Sequence, residues 1–129
     1  MKAPPHRGGR RVDRTAQGRR AEDICADYLF ARGYELVGRN VRVGARELDI
    51  LAARGDVLAV VEVRTRSASS YERALQSLGW QKRKHLVAAA GAWLRQSERR
   101  FARVRFDVAA VSFDTRGAAV EHVEGAFTR

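Results

Sequence analysis

The sequence contains a single cysteine, Cys25, and this scarcity excludes several kinds of structure. An internal disulfide is impossible, and a zinc site built from cysteines is excluded as well. Cys25 falls on the apolar side of a predicted helix, where a buried and unreactive thiol is more common than a nucleophile. Serine-protease triads, Walker loops and dinucleotide-binding glycine patterns are also missing from the sequence.

Long apolar runs are missing too, the longest being residues 57–61. That run is far too short to cross a bilayer, and no signal-peptide pattern opens the chain. We therefore expect a cytoplasmic protein with no membrane partner. A length of 129 residues, 45% of them hydrophobic, predicts one globular domain with a single core.

Acidic residues are few compared with basic ones. The 25 lysine and arginine residues outnumber the 15 aspartate and glutamate residues, which gives a net charge of +10. This excess favours a polyanionic partner, and nucleic acid before a membrane because no basic amphipathic membrane helix is evident. Genome composition and solvated faces explain many of the arginines individually, but they explain poorly why the acids are clustered.

The hydrophobic pattern predicts two helices and five strands. Residues 1–17 read as a basic flexible N-terminal arm, either a weak phosphate-contacting tail or a solubilising one, and residues 18–129 as one α/β domain. The first helix is predicted to begin near Thr15 or Gly18 and to end at Ala31, capped by Gly33. The other predicted elements are strands 34–43, 46–53 and 57–65, a helix over 79–95, and strands 103–113 and 120–123.

This α-β-β-β-α-β-β order predicts a mixed sheet flanked by helices. The first three strands can form an antiparallel meander, and the second helix is long enough for a parallel crossover to the fourth strand. In the second strand, Leu48 and Ile50 are predicted to face the core together. The polar segment 67–70 is predicted to be a mobile loop.

Two carboxylates in the second and third strands carry the strongest chemical signal. The residues between these strands have turn composition, so a hairpin should bring Asp49 and Glu62 side by side. Both residues have strongly apolar neighbours, where idle carboxylates would be expensive. The alternative is a pair of exposed strand acids matched by Arg46 and Arg64.

A divalent metal ion would relieve the repulsion between two such carboxylates. Mg²⁺, or Mn²⁺ in its place, prefers carboxylate oxygens and keeps positions for water and phosphate. We expect Asp49, Glu62 and the backbone carbonyl of Val63 to be its ligands. In a chain this basic, metal-assisted cleavage of a nucleic-acid phosphodiester is the leading interpretation.

Further polar residues are placed around this pair. Glu22 borders the buried stripe of the first helix, where it is either part of the acidic centre or a helix N-terminal acid. Arg64 shares a strand face with Glu62, and either grips a phosphate or pairs with Glu62 or Glu47. Residues expected to contact nucleic acid are Arg46, Arg66, Gln81, Lys82 and Lys84. Tyr71, Trp80 and His85 are candidates for base contacts, although Trp80 is as consistent with core packing.

Several motifs together resemble a known family. They are Gly18-Arg19-Arg20-Ala21-Glu22, Ala26-Asp27-Tyr28-Leu29, Gly33-Tyr34, Asn40-Val41-Arg42, Glu47-Leu48-Asp49-Ile50, Val60-Val61-Glu62-Val63-Arg64-Thr65-Arg66, Lys82, Trp93-Leu94 and Arg105-Phe106-Asp107-Val108. Over roughly residues 18–113 the chain resembles the YraN-like family, which is grouped with endonucleases of the PD-(D/E)xK superfamily.

The resemblance implies a restriction-endonuclease-like fold, similar to that of archaeal Holliday junction resolvases, and a homodimer. It implies that Glu22, Asp49 and Glu62 converge as the catalytic acidic centre, and it puts Arg64 in the place of the superfamily's lysine. Arginine stays protonated and cannot act as a base.

Three functions follow as expectations. The first is a Mg²⁺-dependent endonuclease acting on DNA, with branched and damaged DNA as candidate substrates. The second is a nuclease-like module that binds nucleic acid without cutting it, with Arg64 marking lost chemistry. The third is a small interaction protein whose basic face contacts RNA or a ribonucleoprotein.

Overall fold

The computed structural model describes residues 5–66 and 78–128, without the side chains of residues 5–15 and 66. The predicted succession of helices and strands is confirmed within this part of the chain. The elements are α1 (Pro5–Ala31), β1 (Glu35–Val43), β2 (Arg46–Arg54), β3 (Val57–Arg66), α2 (Trp80–Gln96), β4 (Arg103–Asp114) and β5 (Gly117–Phe127). The predicted loop 67–70 and Tyr71 lie outside the described residues.

The five strands form one mixed sheet in the order β1-β2-β3-β4-β5. The first three strands form an antiparallel meander, β3 runs parallel to β4, and β5 returns antiparallel to β4. With helices packed on it, this mixed sheet is consistent with a restriction-endonuclease-like fold. The predicted fold class is confirmed.

The sheet separates two hydrophobic clusters because successive strand residues point to opposite faces. On one face Val60 packs with Leu86 and Ala90 of α2. On the other face Val61 packs with Cys25 and Leu29 of α1. The two helices therefore cover opposite faces, and both faces of the central strands are buried.

Helix α1 ends where the sequence predicts and begins earlier. Gly33 has φ of 89° and donates its backbone N–H to the Phe30 carbonyl, while the Tyr34 N–H reaches the Leu29 carbonyl. This is the double hydrogen bond of a Schellman cap, for which glycine is the preferred residue. The predicted start near Thr15 or Gly18 was wrong, because the backbone is helical from Pro5 onward. Proline fits the first turn of a helix, where no N–H donor is needed.

The second strand departs from strict alternation next to Asp49. Leu48 packs in the α2 cluster and Ile50 in the α1 cluster, so the prediction that they face one side together was wrong. In the pairing with β1, Asn40 lies between Arg39, opposite Ile50, and Val41, opposite Leu48. Asn40 has φ of 49°, a left-handed conformation that interrupts the regular pleat. The change of face coincides with this irregularity.

Candidate active site

Strands β2 and β3 separate where the two central carboxylates are found. The last pair in their ladder is Ile50 with Val61, and the next residues along the strands are Asp49 and Glu62. The backbone N–H of Val63 donates to Asp49 Oδ2 at 2.9 Å. A side chain thus supplies a hydrogen bond where the ladder stops. The predicted hairpin is confirmed, and it holds the two carboxylates next to each other.

Burial makes this pair of carboxylates electrostatically costly. The Glu62 side chain is only 7% exposed. Its burial, reinforced by the charge of Asp49, raises the pKa of Glu62 to about 7, against the opposing effect of Lys82 and Arg64. Burial also raises the pKa of Asp49, although the Val63 amide and Glu62 lower it in part. A proton on Glu62 can be donated to Asp49, which relieves the repulsion.

Two cationic side chains lie near Glu62 but are too far from it to form hydrogen bonds. Lys82 Nζ lies 3.7 Å and Arg64 Nη2 lies 3.8 Å from Glu62 Oε2. Both separations exceed the usual range for charge-assisted hydrogen bonds. Among the described residues, the other oxygen of Glu62, Oε1, is buried and has no hydrogen-bond partner. Glu62 therefore has one carboxylate oxygen without a hydrogen bond, and its two neighbouring cationic side chains lie too far away to form hydrogen bonds with the other.

Glu22 is held by a different set of contacts on α1. Its Oε1 lies 3.7 Å from Arg39 Nη2, which also contacts Asp23 Oδ1 at 2.8 Å. Burial raises the pKa of Glu22, and a hydrogen bond with the Asn40 side chain opposes that rise. The negative charge of Asp49 raises it further, so Glu22 lies within electrostatic reach of the central pair.

These contacts do not create a three-carboxylate metal site. Within residues 5–66 and 78–128, no three histidine, cysteine, aspartate or glutamate side chains are arranged to hold a metal ion together. The expectation that Glu22 converges with Asp49 and Glu62 on one cation therefore stays a prediction. In this structure the neighbours of the Glu22 carboxylate are Arg39 and Asn40 of β1, and its buried Oε1 has no hydrogen-bond partner among the described residues.

Two cavities open onto the acidic residues. A cavity of about 360 Å³ brings Asp49 together with Arg46 and Lys82. Its remaining lining residues are Arg42, Ala45, Glu47, His85 and Leu86. A smaller one of about 190 Å³ is lined by Gly18, Ala21, Glu22, Val63, Arg64 and Thr65. The acidic residues thus have space for a ligand on the side of each helix.

The predicted nucleic-acid contacts divide into three groups. Arg46 and Lys82 line the larger acidic cavity. Gln81 is exposed in the first turn of α2, and Lys84 lies with its Nζ 4.4 Å from the centroid of the Trp80 ring. The Arg66 side chain lies outside the described part of the molecule. Of these residues, Lys82 has the most direct connection to the carboxylate pair, because its Nζ also lies 3.7 Å from Glu62 Oε2.

A buried polar network around Asp107 was missed in the sequence. Asp107 is fully buried and accepts hydrogen bonds from Arg105 Nε and Nη2 at 2.8 Å, and from the Gly125 amide at 2.9 Å. His122 Nε2 lies 2.8 Å from Asp107 Oδ2. Burial alone would raise the pKa of Asp107, but these hydrogen bonds outweigh it and hold the pKa below its ordinary value.

Sequence alternation placed Arg105 and Asp107 on one strand face but gave no sign of burial. The partners His122 and Gly125 come from β5, which was predicted to be much shorter than it is. Because each acceptor oxygen of Asp107 is satisfied, this network reads as structural.

Cys25 behaves as the sequence predicts. It is fully buried in the α1 cluster. Burial, together with the charge of Asp49, raises the pKa of its thiol to about 12. A thiol that stays protonated and inaccessible is a poor nucleophile.

No helix in the described residues is long and apolar enough to cross a membrane. Residues 21–111 match the model of a family described as Uncharacterised protein family UPF0102. A UPF0102 protein of Sorangium cellulosum is 45% identical over 118 residues, which are 88% of this chain and 82% of that protein. A UPF0102 protein of Rhodococcus opacus is 39% identical over 113 residues, 87% of this chain and 96% of that protein. The YraN-like resemblance is confirmed by these matches.

Proposed function

The chain belongs to the uncharacterised protein family UPF0102, and we propose that it is a metal-dependent endonuclease that hydrolyses DNA phosphodiesters. The observation that carries the proposal is the pair formed by half-buried Asp49, which lines a cavity, and buried Glu62, which lies beside Lys82 and Arg64. A protein that only bound DNA would gain little from repelling acids next to phosphate.

The donor set suits a divalent cation. Carboxylate oxygens with raised pKa values and an unsatisfied Glu62 Oε1 are groups that a cation would stabilise. Mg²⁺ is commonly held by only one or two carboxylates, so a third acid is not required. Asp49, Glu62 and the Val63 carbonyl would hold the ion, which would supply charge neutralisation at the phosphate and acidify a bound water.

The surrounding cations would position the substrate. Arg64 can bind a phosphate oxygen through two N–H donors and stabilise negative charge as it develops. Lys82 would orient the attacking water and favour the ionised form of Glu62. Glu22 would act as a positioning residue, because it lines the smaller cavity together with Arg64. We also propose that the protein acts as the homodimer that the family resemblance implies.

The test is cleavage of fluorescent duplex, flap and four-way-junction DNAs with Mg²⁺ or Mn²⁺, and with EDTA as the metal-free control. We expect cleavage by the wild-type protein. In Asp49→Asn and Glu62→Gln variants, cleavage should fall by at least about a hundredfold while DNA binding is retained. Glu98→Gln, which changes an exposed glutamate, is the matched control and should cut normally.

The second candidate is a non-catalytic nucleic-acid-binding module. The observation that favours it is Arg64 in the position of the superfamily's lysine, since a guanidinium cannot accept a proton from water. Binding of all three DNAs without cleavage in either metal would favour this function over the nuclease.

A further inference from the structure

A third and larger cavity lies beside α2 and shares none of its lining residues with the two acidic cavities. Its volume is about 540 Å³. The lining residues are Trp80, Arg83, Lys84, Val87, Ala88, Ala126, Phe127 and Thr128. Phe127 stacks on Phe106 with ring centroids 5.1 Å apart, which gives the cavity a fixed aromatic wall. The cavity is therefore lined in large part by apolar side chains of packed elements.

The aromatic ring of Trp80 lines this cavity and is not packed into the core. Trp80 is 68% exposed, so the sequence interpretation of Trp80 as a packing residue is not supported. Lys84 Nζ lies 4.4 Å from the ring centroid, and the Arg83 guanidinium lies 5.7 Å from the centroid of Phe127. Aromatic surface and positive charge are thus combined at one place.

The charge of α2 selects the kind of ligand. The helix sequence contains Lys82, Arg83, Lys84 and Arg95 and no acidic residue. A flat apolar group attached to an anion matches an apolar cavity with a cationic rim, whereas a cationic or basic partner does not. Nucleobases carry both features, because each has two aromatic faces and is linked to phosphates.

We propose that this cavity binds an unpaired nucleobase of the DNA strand that enters the acidic site. The inference rests on the proposed function, and it narrows the substrate to DNA with a single-stranded segment at the cut. Trp80 and Lys82 lie in the first turn of α2, about 3 Å apart along its axis and about 200° apart around it, so their side chains line two different cavities on either side of this turn. A strand that crosses this exposed first turn can place a phosphate at Lys82 and a nearby unpaired base against Trp80. Paired bases cannot do this, because their faces are occupied inside the stack.

Binding to two DNAs tests the proposal: a blunt duplex, and the same duplex with a three-nucleotide single-stranded extension. Fluorescence anisotropy is measured with the full chain in EDTA, so that cleavage plays no part. We expect Trp80→Ala to weaken binding of the extended DNA about tenfold and binding of the blunt duplex less than twofold. Trp80→Phe should retain most of the affinity because phenylalanine still stacks. Phe30→Ala, at a residue 78% exposed on α1, is the matched control and should change neither affinity.

A second readout reports stacking itself. With 2-aminopurine in the extension, binding of the wild-type protein should quench its fluorescence, and binding of Trp80→Ala should not. An equal effect of Trp80→Ala on both DNAs, or no effect on either, would overturn the inference. A cavity that serves a protein partner would give the latter result.

The two proposals fail separately. Cleavage that requires Asp49 and Glu62 but is unchanged in Trp80→Ala would support the proposed nuclease and contradict the proposed base-binding cavity. Trp80-dependent binding of the extended DNA without cleavage in any metal would leave the base site and remove the nuclease.

Discussion

At the residue scale, the central question is why a carboxylate is kept at position 62. Glu62 is buried next to a second acid, and its nearest cations stop 3.7 and 3.8 Å away. A purely structural role would be filled better by glutamine, which has the same shape without the charge. The glutamate therefore costs folding stability at neutral pH, and a cost of this kind is typical of functional sites.

The sign of this cost can be measured through its pH dependence. The folded-state pKa of Glu62 is about 7, above the ordinary value of 4.5. Between these pH values the folded chain holds a proton that the unfolded chain has lost, so the free energy of unfolding falls as pH rises. Glu62→Gln should raise that free energy by roughly 3 kcal/mol at pH 8.

Urea unfolding at pH 4 and pH 8 provides the measurement. The gain from Glu62→Gln should nearly vanish at pH 4, where the wild-type glutamate is protonated in both states. Glu121→Gln, an exposed change on β5, should give no gain at either pH. A Glu62→Gln variant that is less stable than wild type at pH 8 would show that Lys82 and Arg64 outweigh burial.

Arg64 gives a prediction about catalysis. Arg64→Lys keeps a positive charge near Glu62 and adds a group that can orient water, so cleavage should be retained or increased. Arg64→Gln removes the charge and should slow single-turnover cleavage about ten- to a hundredfold. A large loss in Arg64→Lys would instead show that the two-donor guanidinium is itself required.

Asp107 gives the strongest prediction about stability. Asp107→Asn would leave Arg105 and His122 without their common charged partner, and removing one member of a buried pair costs about 3–5 kcal/mol. The pKa of Asp107 is lowered, so its stabilisation is complete above its ordinary value of 3.8 and is lost as pH falls below it. The deficit of the variant, measured by urea unfolding, should be full at pH 7 and shrink in acid. Asp27→Asn, an exposed change on α1, is the control.

At the scale of elements, local patterns predicted the strands well and predicted their irregularities poorly. Alternation and turn composition gave the β2–β3 hairpin and hence the proximity of Asp49 and Glu62. They did not give the change of face between Leu48 and Ile50, which coincides with the left-handed backbone of Asn40 in another strand. Pairing between strands is not visible in a single-strand pattern.

The same limit applies to the helices and to the site. A helical stripe placed Ala21, Cys25 and Leu29 correctly in the core, and all three are buried. It placed Glu22 at the border of the stripe but could not show that Arg39 engages it. Lys82 was predicted to bind phosphate, and its contact with Glu62 needed the packing of α2 on the sheet. Sequence proximity thus gave the carboxylate pair, and tertiary packing gave its cationic partners.

Two glycine substitutions, one in the turn of the β2–β3 hairpin and one inside α2, should have opposite effects on stability. Gly55 has φ of 63° in the turn between β2 and β3, a conformation that side chains disfavour. Gly55→Ala should destabilise the protein by about 1 kcal/mol or more. Gly91 lies inside α2, where an added Cβ meets only the Arg95 side chain at 3.6 Å. Gly91→Ala should therefore stabilise by about 0.5–1 kcal/mol. Thermal unfolding of both variants measures the contrast, and equal signs would contradict the assigned turn.

At the scale of the whole molecule, the charge distribution would govern how the proposed nuclease approaches DNA. The net charge of +10 attracts phosphate at long range, while Asp49 and Glu62 form an acidic centre inside a basic surround. Long-range attraction is screened by salt, but contacts inside the buried site are screened less. Binding strength should therefore depend on salt far more than the position of cleavage does.

A salt titration measures how strongly DNA binding depends on salt. With about four phosphate contacts, binding of duplex DNA in EDTA should weaken about a hundredfold between 50 and 200 mM salt. Arg46→Gln removes a cation from the acidic cavity and should reduce the logarithmic slope by about 1. Arg116→Gln, in the exposed turn between β4 and β5, should reduce it much less. Equal reductions in the two variants would mean that the whole basic surface binds DNA indiscriminately, with no preference for the acidic cavity.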